Sequence, residues 1–385
     1  MKRTGLLTIL FLSSLFCLRS YSQSGWTIQS SGTTHSLRAA ALIDASTGFV
    51  VGDSGTILHT TNGGSHWIRQ VSGTTQTLRG IALYGSYVGT VVGDSGTILR
   101  TTDGGLNWVR QLSGTTFDLQ SVSFPTRDVG MAVGVTQPSG FTYFAIVLRT
   151  TNGGASWTVQ WLGTTHWLYG VSFSDLFTGT IVGGKYPGLY GTSRPMILRT
   201  IDGGLSWVSQ LPDTGYGDVL RAVAFLGGYR GMAVGGATVL CTNDGGLTWM
   251  SHQCGGKGLC ALCFRSSQNI SVVGGWSEYG SHDSCCLISQ TTNGGLSWSA
   301  QESGVAHVKL NAVAFSDAIT GVAVGDLGTI LRTTSGGATS VKEEGVPLGG
   351  AILYPAYPNP FNPTTRIAYN IPPGAGSGLQ VAGSD

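Results

Sequence analysis

The residues with the most reactive side chains are unevenly placed. Apart from Cys17, the cysteines all fall in one stretch, at Cys241, Cys254, Cys260, Cys263, Cys285 and Cys286. An even number of thiols in an oxidising compartment favours disulfides. Cys260-x-x-Cys263 with Cys285-Cys286 would alternatively offer thiolates to zinc. No second CxxC supports that reading, so disulfides are the expectation, and no metal or cofactor is assigned. The spacing alone selects no pairing among the six. His252 and His282 nearby read as solvent-facing loop histidines.

Glycan cleavage is the other chemistry that the residue types allow. It needs arginines for a carboxylate, a Tyr nucleophile and paired acids. Four residues before a recurrent Gly-Gly pair stand His59, Arg100, Arg149, Arg199 and Arg332, with Cys241 and Gln290 in two further copies. Repetition at one structural position points to a scaffold role, such as hydrogen bonds to a neighbouring repeat's carbonyls, because unpaired buried charge is too costly to repeat. The carboxylates follow the same logic. Asp53, Asp94 and Asp326 share a Val-Gly-Asp-x-Gly turn, and Asp103, Asp202 and Asp244 precede Gly-Gly. Asp128, Asp175, Asp218, Glu278 and Asp283 have no spacing that marks an acid–base pair. No catalytic residue is assigned.

What must position these residues is a repeat. Thr60-Thr61-Asn62-Gly63-Gly64-Ser65-His66-Trp67 returns as Thr101-Thr102-Asp103-Gly104-Gly105-Leu106-Asn107-Trp108. Further copies end at Trp157, Trp207, Trp249 and Trp298, and a degraded one is Ser335-Gly336-Gly337. Successive glycine pairs lie 41–50 residues apart, the size of a propeller blade. Each repeat holds four short apolar segments, in the second at 78–84, 89–92, 97–100 and 108–112, which predicts a four-stranded antiparallel meander. Asn62, Asp103, Asn152, Asp202, Asp244 and Asn293 are the Asx residues of the turn before the fourth strand. The following Trp is expected to cover that turn from outside, at the blade's rim.

Composition agrees with an all-β chain. Gly accounts for 61 of 385 residues, and only 10% are charged while 41% are hydrophobic. That excludes wholesale disorder and any charge-rich helical architecture. A net charge of +2 gives no electrostatic reason to expect nucleic acid. The fold predicted is a closed seven-bladed β-propeller over 24–340. Residues 26–30 match 67–71 with no repeat before them, so the N-terminal segment should complete the last blade, with Trp26 packed there.

Loop length breaks the symmetry. Repeats three, four and six carry insertions between their second and third strands, on the face opposite the Gly-Gly turns. These contain Phe141, Tyr143, Tyr186, Tyr190, Trp276 and Tyr279, and linker residues Trp161, Trp167 and Tyr216 should join them. Aromatics on loops suit stacking on sugars or filling a partner's pockets, so this face is the expected ligand-binding surface.

The phrase from Ile98 to Trp108 resembles the Asp-box repeat of sialidases and sortilin-type receptors. With Val92-Gly93-Asp94-Ser95-Gly96 before it, the chain is similar to the propeller family of photosystem II assembly and stability factors. Asp boxes are structural turns in each family that has them, so the resemblance implies the fold far more than a function. Residues 354–369, opening Tyr-Pro-Ala-Tyr-Pro-Asn-Pro-Phe-Asn-Pro, resemble the start of the C-terminal sorting domain of type IX secretion cargo, here cut short at 385. That resemblance implies passage across an outer membrane.

Lys2-Arg3, the apolar stretch 5–18 and Ser20-Tyr21-Ser22 have the order of a secretory signal peptide over 1–22. The apolar stretch is too short to span a bilayer, and no other candidate transmembrane segment follows. The domain reading is thus signal peptide, propeller, a linker at 341–353 and a truncated sorting segment at 354–385. The functional expectation is an exported, non-catalytic scaffold that recognises protein or glycan at the cell surface or outside the cell, or in the periplasm if the shortened sorting segment is inactive. Its other partner would be the export machinery. The alternatives are a glycan-active hydrolase or an assembly factor for a membrane protein complex.

Overall fold

A computed structural model describes residues 23–136, 144–162, 166–185, 193–211, 217–252, 254, 257–277 and 284–340, with the pairs 352–353 and 369–370. Gln23–Ser340 make one compact unit of seven four-stranded antiparallel sheets. The first blade runs Leu37–Leu42, Gly48–Gly52, Thr56–Thr60 and Ile68–Gln70. The second runs Leu78–Tyr84, Val88–Gly93, Ile98–Thr101 and Val109–Gln111. Alternation of β-branched and small residues with Gly-rich turns builds each meander.

The seventh blade takes Leu310–Phe315, Gly321–Gly325 and Ile330–Ser340, and borrows Gln23–Gln29 as its outermost strand. The chain's first strand therefore closes the ring and removes an open edge. Trp26 is only 2% exposed, packs edge-on to Phe315 at 5.9 Å, and donates its indole N–H to Gln301 Oε1 at 2.9 Å.

The first strand of each blade is innermost, and these strands meet their neighbours around the full circle, Leu37–Leu42 against Leu310–Phe315 included. Apolar clusters fill all seven seams between blades. The Asp-box tryptophans lie in these seams, which corrects the expectation of an outer cover. Trp67 packs with Val322 and Val324 of blade seven, and Trp108 stands edge-on to Phe49 of blade one at 5.8 Å. A seam contacts both faces of an indole, whereas the rim would contact one, so more apolar area leaves water there.

In blades three, four and six part of the extra length is strand. Gly130–Thr136 pairs with Phe144–Thr150, Gly179–Lys185 with Arg194–Thr200, and Ile270–Ser277 with Ser284–Thr291. The matching strands of blade one have 5 residues each. These hairpins extend the ladder on the face away from the Asp boxes.

In the other unit, Ile352–Leu353 pairs antiparallel with Tyr369–Asn370. Residues 1–22, and the rest of the linker and sorting segment, lie outside the described residues. No described helix is long and apolar enough to cross a membrane.

Candidate functional site

The Asp box is held together by a threonine to which the sequence alone assigns no role. In blade three the Thr150 hydroxyl donates to Asn152 Oδ1 at 2.9 Å and accepts the Gly154 N–H at 2.9 Å, while Asn152 Oδ1 also accepts the Ser156 N–H at 3.0 Å. Thr60, Thr101, Thr200, Thr242 and Thr291 repeat the pattern, and Thr333 accepts the Gly337 N–H in the degraded copy. All seven threonines are at most 2% exposed. Their identity in every copy of the motif is the signal that could have found them. Where the Asx residue is Asp, the turn's donors hold the carboxyl down. Donation from the Asn107 backbone and side chain brings Asp103 to about 2, donation from Thr248 does the same for Asp244, and the Ser206 hydroxyl lowers Asp202.

The repeated arginines form clasps between blades. Arg149 Nε donates to the Gly203 carbonyl of the next blade at 2.8 Å, Arg199 to Gly245 at 2.7 Å, and Arg332 to Gly63. Where Cys241 and Gln290 replace the arginine, Arg230 reaches Gly294 at 3.2 Å from the second strand of blade five, and Arg265 reaches Gly336 at 3.0 Å from the turn after the first strand of blade six. Gln111 serves Gly153, while Arg100 bonds the Arg127 carbonyl. His59 instead stacks on Phe49 at 4.3 Å, and burial lowers its pKa. These arginines thus hold blade to blade, and none of them converges on a shared carboxylate site.

The cysteines correct the disulfide expectation. Cys241, Cys254, Cys260, Cys263 and Cys286 form no disulfide, and the side chain of Cys285 lies outside the described residues. The sheet register explains why. Cys241 and Cys254 pack in the seam between blades five and six, Cys263 and Cys286 in that between six and seven. Cys263 aligns with Ser271 and Cys286 with Gly275, four positions away along the strand, or about 13 Å at 3.3 Å per residue against a Cα limit near 7 Å. Burial raises the pKa of Cys241 to about 11 and those of Cys263 and Cys286 in the same direction. Among the described residues no group of three His, Cys, Asp or Glu could hold a metal ion.

Of the aromatic set, Phe141, Tyr143, Tyr186, Tyr190, Tyr216 and Tyr279 lie outside the described residues. Trp161 ends the fourth strand of blade three, Trp167 opens the first strand of blade four, and Trp276 lies in the second strand of blade six. They sit on strands where loops and linkers were expected, because the ladders continue past the points at which Gly-rich composition suggested a stop. The Trp167 ring lies 5.9 Å from Tyr169, whose face carries the Arg221 guanidinium at 5.0 Å.

Tyr169 and Arg221 belong to a ring of equivalent residues. At the start of each innermost strand, or within two residues of it, stands a fully buried Leu, then a variable residue, then a small one: Leu37, Leu78, Leu119, Leu168, Leu220, Leu259 and Leu310 are all 0% exposed. The variable residues are Arg38, Arg79, Gln120, Tyr169, Arg221, Cys260 and Asn311, each half-buried. In six blades the ladder shifts register there, a bulge that re-aims a side chain. The ring therefore surrounds the mouth of the central channel on the long-hairpin face. Arg38 grips Asp53 with both ends of its fork, at 2.8 and 2.7 Å, and Arg79 grips Asp94 in the same way. The Arg38 hydrogen bond lowers the pKa of Asp53, so that pair stays ionised. Asn311 bridges Asp326 and the Leu37 carbonyl at 2.9 and 3.0 Å. Blades seven, one and two thus present alternating charge, and blades four and five an aromatic–cation stack. Clefts along the Ser-Gly-Thr-Thr linkers recur in the same form from blade to blade, so they belong to the repeat.

Residues 18–110, covering the closing strand and the first two blades, match the family model described as photosynthesis system II assembly factor YCF48. The chain is similar in fold to a structure of YCF48 bound to D1 peptide, with a TM-score of 0.61 and 17% identity over 81% of this chain and 97% of that one. YCF48 from Cyanidioschyzon merolae gives 0.60 and 17%, over 80% and 98%. The WD40 β-propeller domain of Doa1 gives 0.57 and 10%, over 80% and 94%. At these identities the likeness shows the seven-bladed fold. No curated protein matches the chain.

Proposed function

We propose that this chain is a non-catalytic propeller of the assembly-factor kind, which holds a segment of a client polypeptide at the channel mouth on its long-hairpin face. The observation that carries the reading is the ring from Arg38 to Asn311. It occupies one equivalent position in every blade and varies in chemistry from blade to blade, while the Leu before it does not vary. A scaffold position would repeat, and a recognition position differs among the blades. Backbone amides and carbonyls of an extended segment suit the fixed ion pairs of blades one and two, and an apolar or aromatic side chain suits Tyr169 and Trp167. That a YCF48 protein is known with a bound D1 peptide supports a polypeptide ligand over a sugar. The arginines a sialidase-like site would need act as blade clasps instead. Residues 1–22 support the further proposal that the protein works outside the cytoplasm.

Titration of the full chain with a panel of short peptides and a panel of glycans tests this. Peptide binding that weakens about tenfold in Tyr169→Ala with Arg221→Ala, at unchanged melting temperature, is the expected result. Glycan binding without peptide binding, or peptide binding indifferent to both substitutions, would contradict it.

A further inference from the structure

The outer rim carries a second cleft, built from residues that the channel-mouth ring does not use. A linker follows the fourth strand of each blade, and three of these linkers share one form. In blade one the Ser72 hydroxyl donates to the Thr74 carbonyl at 3.2 Å, the Gln76 N–H donates to Thr74 Oγ1 at 3.1 Å, and the Gly55 N–H bonds the Gln76 carbonyl at 2.9 Å. Ser113, Thr115 and Gly96 repeat these bonds in blade two, and Ser31 and Thr33 repeat the first two where blade seven joins blade one. Local bonds thus fix the floor of each cleft before any ligand arrives.

On this common floor the flanking side chains differ. Two residues after the Trp of the outer strand stands Arg69 in blade one and Arg110 in blade two, but an aliphatic residue or serine in the other five. Two residues further on are Val71 and Leu112, each 86% exposed, where Ser30 and Glu302 occupy the position in blades seven and six. Ile68, directly after the Trp, is also exposed, but so are Ile28, Val208 and Met250 at the same position, so that feature belongs to the repeat. Arg69 and Arg110 line one cleft of about 720 Å³ between blades one and two, together with Val71, Thr74, Thr75 and Gln76. Arg110 and Val159 line the next cleft, and no charged residue lines the one between blades seven and one.

Both arginines are exposed, and among the described residues neither has a hydrogen bond or ion pair. A bonded charge keeps its sign, so every charged group on the surrounding turns counts. Asp53 and Asp94 each face a matching arginine, Arg38 and Arg79, and these ion pairs add no net charge. Asp118 takes the Ser95 N–H beside the next cleft, and Asp326 stands beside Leu327 and Gly328 at the cleft before. Asp103 lies at the Asp-box turn, on the opposite face. Positive charge is therefore concentrated at the cleft between blades one and two.

We propose that this cleft is a docking site for an acidic, extended segment of a partner polypeptide. Its carboxylates would pair with the Arg69 and Arg110 guanidinium groups, and an aliphatic side chain would cover Val71. The threonine hydroxyls and the Gln76 amide suit its backbone. No aromatic ring lines the cleft for a sugar to stack on, and recognition of an anionic bilayer takes a cluster of about four to eight cations.

The test uses the full chain and a short peptide of alternating glutamate and valine, with lysine-for-glutamate and serine-for-valine versions as controls. The glutamate–valine peptide should bind, more weakly as salt rises and more tightly than either control. It should lose about tenfold in affinity in Arg69→Met with Arg110→Met, at unchanged melting temperature. Val71→Ser should weaken it about threefold. Arg127→Met, which removes an exposed arginine of blade three, should leave binding unchanged. Absence of binding, equal affinity for the lysine peptide, or full binding by the double methionine variant overturns the proposal. So does binding of a sulfated polysaccharide or of phosphatidylglycerol vesicles that the double variant loses, if the peptide does not bind. Neither arginine belongs to the ring, so a negative result here and one at the channel mouth are distinguishable.

Discussion

At the scale of the residue, the Asp box makes the clearest physical statement. Three copies use Asp and three use Asn in the same hydrogen-bond pattern, with Asn62 Oδ1 and Asp103 Oδ1 accepting N–H bonds at 2.9 and 3.0 Å. Only the carboxylates couple the turn to pH. Their folded pKa values lie below the ordinary 3.8, at about 2 for Asp103 and Asp244 and lower than usual for Asp202. A depressed carboxyl stabilises the fold above its unfolded pKa, and that contribution disappears as pH falls through the folded value. Replacing all three by Asn should therefore leave stability near neutrality unchanged and reduce its loss between roughly pH 4 and pH 2, as read from acid-unfolding curves. Parallel curves for variant and parent would disprove the linkage. The motif's Asx and Gly roles are legible in the sequence because turn chemistry is local. The buried threonine is equally visible there, but its two partners become clear only when the turn is closed.

At the scale of the element, the seams decide stability. Arg199 gives a charged donor to the Gly245 carbonyl across the seam between blades four and five. Arg199→Met keeps the stem and removes that bond, and should cost about 1.5–3 kcal/mol in denaturant unfolding, whereas exposed Arg69→Met should stay within about 0.5 kcal/mol. A cost for Arg199→Met no larger than that for Arg69→Met would mean the clasp contributes nothing. Repetition of a basic residue at one position of the motif is enough to signal this role, down to the class of acceptor. The substitution of Arg230 and Arg265 for the missing arginines is not legible in the same way, because residues from a different strand and from a turn come to serve equivalent carbonyls only after folding. The disulfide expectation failed for the same reason. Four of the six cysteines close in sequence are distributed over two seams, and Cys263 and Cys286 are offset along the sheet.

At the scale of the whole molecule, the count of repeats and the unmatched strand at 26–30 predict both the seven blades and the closure by the N-terminus. Trp26 is the lock. Trp26→Ala removes a fully buried indole from the closing strand and should cost about 3–5 kcal/mol. It should also speed amide exchange in Ile330–Ser340 ahead of blades two to five, and uniform exchange would show that closure is not the weak point. The candidate site is less legible than the fold. Composition directs attention to aromatic insertions, yet the one-per-blade ring is visible only when the first strands are aligned as Leu-x-small, where a bulge turns the middle residue.

The decisive experiment for a client site at the channel mouth is photo-crosslinking with a peptide that the full chain binds, followed by mapping of the attached residues. Attachment around Arg38, Tyr169 and Arg221, on the long-hairpin face, is the result predicted. Attachment confined to the outer strands or to the Asp-box face would contradict it.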